Sequence, residues 1–118
     1  MKYGLACLAL AAAIASPVAA QSIGGSYVAE GTNLDGSPYR GTAEIKLTSD
    51  TTCVISWVTG STTSRGICSR NGDAFAAAYV LGNAYGLVVY RVLPDGSLDG
   101  LWTIAGQNGA GTEKLTPR

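Results

Sequence analysis

Three observations predict an all-β chain folded as a small eight-stranded antiparallel up-and-down barrel. Turn signals recur at short intervals, the residues between them alternate in polarity, and two cysteines lie symmetrically about one of the turns. The turn signals fall at residues 33–36, 48–51, 59–62, 70–73, 81–83, 94–96 and 106–109, and seven turns imply eight strands. A flattened β-sandwich is the alternative arrangement of the same strands.

The first 20 residues are set apart from that pattern. Lys2 supplies a positive start, Leu5 to Ala15 an apolar run, and Val18-Ala19-Ala20 a small-residue cleavage site, so residues 1–20 are expected to form a signal-peptide helix removed before Gln21. Ser16-Pro17 interrupts the apolar stretch and no stop-transfer sequence follows, so no stable membrane span is expected after its removal. Cys7 leaves with this segment. Residues 21–118 then form a single β-barrel domain of 98 residues with seven basic and eight acidic side chains. The expected location is the periplasm or the exterior of the cell.

Within the domain, alternation is clearest from Tyr39 to Leu47: Tyr39, Gly41, Ala43, Ile45 and Leu47 share one face and Arg40, Thr42, Glu44 and Lys46 the other. The same period sets Leu98, Gly100, Trp102 and Ile104 against Asp99, Leu101 and Thr103, and Val88 and Tyr90 against Val89 and Arg91. Glycines on the inward face permit the curvature that closure requires. Asp35-Gly36-Ser37 followed by Gly41 and Ile45 recurs, one residue shorter, as Asp95-Gly96-Ser97 followed by Gly100 and Ile104. Cys53 and Cys68 are equidistant from the Gly60-Ser61 junction, which predicts a hairpin with a type II′ turn and a disulfide between facing strands. About twelve residues per strand and turn suit a filled or ligand-holding barrel of lipocalin or avidin shape. They leave too little for the long external loops of a transmembrane barrel.

Composition excludes several chemistries. The chain has no histidine, which removes Ser-His-Asp and Cys-His catalysis and imidazole metal sites. Its eight basic and eight acidic residues leave no basic excess for nucleic acid. Asp35, Asp50, Asp73 and Asp95 read as turn residues, and Gly106 to Gly111 lacks the Lys-Ser/Thr ending of a phosphate loop. No cofactor, metal or enzymatic activity is expected. The residues of interest are Tyr27, Tyr39, Trp57, Tyr90 and Trp102, which either line a barrel mouth or fill a core too small to leave a cavity. Glu113 shares a face with Leu115; turned inward, its carboxylate needs Arg91, Arg65 or a tyrosine hydroxyl, and a structural ion pair is expected over a ligand contact.

The run from Gly25 to Asn33, with Asp35-Gly36-Ser37, Tyr39-Arg40-Gly41-Thr42, Ile55-Ser56-Trp57, Gly86 to Tyr90, Asp99 to Trp102 and Gly111 to Pro117, resembles small exported proteobacterial proteins labelled fibronectin-binding-like. The resemblance implies adhesion to an extracellular protein. The expectation is therefore an exported, non-enzymatic binding protein with a protein partner. One alternative is an inhibitor of a hydrolase, for which the Thr59 to Ser64 turn and the Gly106 to Gly111 loop are candidate inserting elements. The other is a lipocalin-like carrier of a small apolar ligand, which requires an open cavity.

Overall fold

A computed structural model describes residues 22–118; the expected signal peptide and Cys7 lie outside the described residues. Eight strands follow in order: β1 (Gly25–Thr32), β2 (Pro38–Leu47), β3 (Thr52–Thr59), β4 (Thr62–Asn71), β5 (Ala74–Leu81), β6 (Ala84–Val92), β7 (Leu98–Ile104) and β8 (Gly111–Pro117). Each pairs antiparallel with its neighbour in sequence and β8 returns to β1, so the sheet is a closed barrel and the sandwich is excluded. Closure leaves no free sheet edge.

The local reasons are visible strand by strand. β3 and β4 join through Gly60-Ser61, with Thr59 opposite Thr62 and Cys53 opposite Cys68, the register expected from the cysteine spacing. Gly60 has φ +64° and among the described residues none other than glycine has a positive φ, the signature of a type II′ turn with glycine first. The bridge closes with the two Cα atoms 4.9 Å apart. Asn71 does not take the positive φ that an Asn-Gly type I′ turn demands: Asn71 pairs with Ala74, so Gly72 and Asp73 form the turn.

The two copies of the Asp-Gly-Ser loop adopt one conformation. Asp35 Oδ1 accepts from Ser37 N at 2.9 Å and Ser37 Oγ at 2.6 Å, and Asp95 Oδ1 accepts from Ser97 at the same distances. They sit at opposite ends of the barrel, because one follows an upward strand and the other a downward one. The missing residue in the second copy reverses the face that follows: Pro38 is exposed where Leu98 is fully buried.

The lower end, at the β2–β3, β4–β5 and β6–β7 turns, is packed solid. Phe75, Leu98 and Leu115 have no exposed surface, the disulfide lies among them, and Ile23 covers the opening, held by a 2.6 Å hydrogen bond from the Tyr27 hydroxyl to its carbonyl. Leu47, in phase with the inward set, lies at the rim of this end and is 44% exposed. Outside, β3 to β7 present Val54, Ile67, Val80, Leu87, Val89 and Leu101 to solvent, whereas β8, β1 and β2 present Lys114, Glu30, Arg40, Glu44 and Lys46. Among the described residues no helix is long and apolar enough to cross a membrane.

Because the bridge closes a loop of 14 intervening residues, replacing Cys53 and Cys68 with alanine is expected to cost roughly 3 kcal/mol. For a domain of this size that lowers Tm by on the order of 10 °C or more, read by thermal unfolding with far-UV circular dichroism. An unchanged Tm would show that the register stands without the bridge.

Candidate functional site

One row of residues crosses five strands at mid-height. Glu113 on β8 faces Gly31 of β1 on one side and Gly100 of β7 on the other. Gly31 in turn pairs with Tyr39 of β2, and Gly100 with Tyr90 of β6. Neither strand beside Glu113 carries a side chain at that level, so each tyrosine ring lies over a glycine and reaches across it. A methyl group on Gly100 would stand 2.6 Å from Tyr90 Cδ1, and one on Gly31 2.7 Å from the Tyr39 hydroxyl oxygen. The same cover recurs higher up, where Trp102 lies over its cross-strand partner Gly111 and Tyr79 over Gly86. Rings laid over sheet glycines protect the bare backbone and fix the ring direction.

The consequence is a buried carboxylate held by neutral donors. Tyr39 donates to Glu113 Oε1 at 2.8 Å, the Trp57 indole N–H donates to Oε2 at 2.9 Å from across the lumen, and Tyr90 donates a short bond to the same Oε2. Glu113 is 5% exposed. Three donors converge on its two oxygens, which suits the acceptor-only character of an ionised carboxylate, and the Tyr39 hydroxyl also lies 3.2 Å from the Thr112 carbonyl. The expected ion pair is not formed: Arg65 and Arg91 point to solvent, and among the described residues no salt bridge reaches Glu113. The tyrosine alternative is the one realised, joined by an indole that the sequence did not suggest.

Above this row the barrel is open. A cavity of about 540 Å³ has Glu113, Tyr90 and Val88 toward its floor and Tyr39, Trp57, Tyr79 and Trp102 in its walls. Its mouth lies at the end carrying the β1–β2, β3–β4 and β5–β6 turns, among Asn33, Gly60, Thr62 and Leu81. Edge-to-face contacts fix the wall: Tyr39 with Trp102 at 6.2 Å between centroids, and Trp57 with Tyr79 at 5.3 Å. Polar tips of the wall residues are satisfied by backbone, Trp102 Nε1 donating to the Thr112 carbonyl at 3.2 Å and the Tyr79 hydroxyl to that of Thr103 at 3.0 Å. The two readings of the aromatic set therefore both hold, each for half of the barrel: the lower half is filled and the upper half is hollow.

Four of the five aromatic candidates, Tyr39, Trp57, Tyr90 and Trp102, meet at this cavity with Glu113. Tyr27 does not; it faces inward two levels lower, where it anchors Ile23. Tyr79 was missed, because alanines on both faces of Ala74 to Ala78 hide the alternation. The tight Gly72-Asp73 turn carries the signal: it sets Ala77 opposite the inward Cys68, and Tyr79 two residues on is inward as well.

Burial and the Glu113 charge, in that order, hold the phenols protonated: Tyr79 is pushed up to about 12 from the usual 10, and Tyr39 and Tyr90 are raised by the same two causes. Above pH 10 the unfolded chain loses these protons while the native state keeps them. Their contribution to stability is thus fully present below about pH 10 and falls as pH rises from 10 through 12. Tm measured from pH 8 to 11.5 should hold and then drop, and a flat profile would contradict protonated native phenols. Glu113→Ala strands two buried donors, Trp57 Nε1 and the Tyr90 hydroxyl, while Tyr39 keeps the Thr112 carbonyl, and should cost roughly 3 kcal/mol. Glu113→Gln, which keeps one acceptor oxygen, should lose less Tm in the same calorimetric scan; equal losses would mean that shape, and not hydrogen bonding, is what the side chain provides.

No family model matches the chain, and no curated protein matches it. Solved structures do match. A redesigned β-barrel superposes with TM-score 0.69 at 16% identity, covering 81% of this chain and 91% of that one. A de novo designed fluorescence-activating β-barrel gives 0.67 at 19% identity, over 85% and 97% of the two chains. EF1p2_mFAP2b bound to DFHBI gives 0.66 at 13% identity, over 81% and 94%. At these identities the likeness is one of fold: the chain is similar to small closed β-barrels.

Proposed function

We propose that the mature protein is an exported binding protein that takes a small, largely apolar ligand into the upper half of its barrel and performs no chemistry on it. The observation that carries the reading is the ring-walled cavity closed below by the Glu113 row. Its volume falls within the range usual for small-molecule sites, and its walls are apolar rings with few polar groups, as such sites require. Two of the barrels similar in fold are described as fluorescence-activating or as bound to DFHBI, which supports the architecture as a holder of small molecules. Export is supported by the character of residues 1–20 and by the Cys53–Cys68 bridge, a bond that persists in oxidising compartments.

The reading with a protein partner, including the adhesion implied by the fibronectin-binding-like resemblance, draws support from the apolar outer face of β3 to β7. Inhibition of a hydrolase would rest on the Gly106 to Gly111 candidate, in the connection between β7 and β8, because the Thr59 to Ser64 segment is a two-residue hairpin turn within paired strands.

Both tryptophans of the chain line the cavity, so ligand entry has an intrinsic reporter. Titration with the neutral fluorophore 1-aminoanthracene is expected to quench Trp57 and Trp102 and enhance the probe at micromolar concentrations. Ser64→Phe, which fills the cavity from β4, should weaken binding at least tenfold with the far-UV spectrum unchanged. Undiminished binding by this variant, or no binding by the wild type, would overturn the reading.

A further inference from the structure

The cavity has an electrical polarity that its apolar walls conceal. Glu113 is the buried charge on its surface; the other charged lining residue, Arg40, has its guanidinium committed to Glu30 at 2.8 Å on the outer face. The interior thus holds one negative charge compensated by hydrogen bonds alone. Buried charges are normally paired, and one satisfied only by neutral donors leaves a negative potential in the space it faces. Around that space stand Tyr39, Trp57, Tyr79 and Trp102, whose ring faces also attract positive charge.

We propose that the ligand is an organic cation, an apolar or aromatic body bearing an alkylated ammonium group that lodges above Glu113 among these four rings. The inference rests on the small-ligand reading of the same cavity. Three donors already occupy Glu113, so its attraction for a ligand is mainly a through-space one that asks for no N–H. A compact primary ammonium loses strongly bound water on entering such a site. An alkylated nitrogen spreads its charge over methyl groups that pack against rings, and so sheds water at lower cost. Anionic ligands are disfavoured by the same field, since a second negative charge at the floor has no cation to meet.

The test compares benzyltrimethylammonium with its neutral carbon isostere, neopentylbenzene, each displacing 1-aminoanthracene from the wild-type mature protein. The two have the same shape and differ in charge. The cation is expected to bind at least tenfold more tightly, and in Glu113→Gln the ratio of the two affinities should fall at least threefold, leaving the share that the rings supply. Equal or reversed affinities in the wild type overturn the cation while displacement by the neutral compound keeps the cavity reading intact. A preference undiminished in Glu113→Gln overturns the role of the carboxylate. Failure of both compounds and of the fluorophore to bind removes the cavity reading and the cation with it. The wild-type ratio decides the point even should the variant not fold.

Discussion

The hollow half of this barrel depends on a constraint of register: Glu113 has a glycine on each side. Closure of β8 onto β1 and its pairing with β7 bring Gly31 and Gly100 to one level, and this lets two tyrosine rings cross a strand each and meet at one carboxylate. A side chain at either glycine would meet the ring that crosses it, and the carboxylate would lose that donor. Trp57 completes the set from the opposite wall, so the row ties β2, β3, β6 and β8 together across the interior. Backbone pairing alone gives a barrel its perimeter; this row fixes its cross-section.

That cross-section divides two regimes of packing. Below it, Phe75 stacks on Tyr90, the disulfide bridges β3 and β4, and Ile23 covers the opening, which is the close packing expected of a small core. Above it, rings stand edge to face along the wall and their polar tips are spent on backbone carbonyls, which leaves the centre unfilled. Hydrogen bonds that could have drawn Tyr79 and Trp102 inward instead hold them to the wall. The cavity is thus a product of how the wall residues are satisfied, and not of missing volume in the sequence.

The perimeter was legible because its determinants are local. Gly60 and the symmetric cysteines set one hairpin register, and strict alternation in β2, β6 and β7 assigned Tyr39, Tyr90 and Trp102 to the inside. Height along the barrel axis was not legible. Alternation with period two tells in from out, whereas level depends on the accumulated stagger of all eight strands and on the β8–β1 closure, residues some 80 positions apart in the chain. Tyr27 and Glu113 therefore look equivalent in sequence, yet Tyr27 pairs with Pro117, two inward positions from Glu113, in the sealed half. For the same reason Arg65 and Arg91 stand level with the tyrosine hydroxyls as candidate partners in the sequence, whereas the carboxylate is met by hydroxyl and indole groups whose meeting requires the closed register.

The sealed lower end has a kinetic meaning. A tube open at both ends lets a guest pass through or slide, but this one is blind, so entry and exit share a single route past Asn33, Gly60, Thr62 and Leu81. Under the small-ligand reading proposed above, a guest goes in with one end leading and leaves by retracing its path. The leading end alone meets the Glu113 row, while whatever trails behind can protrude through the mouth without limit on its length. Such a chamber selects for one terminus of a molecule and tolerates variety in the rest.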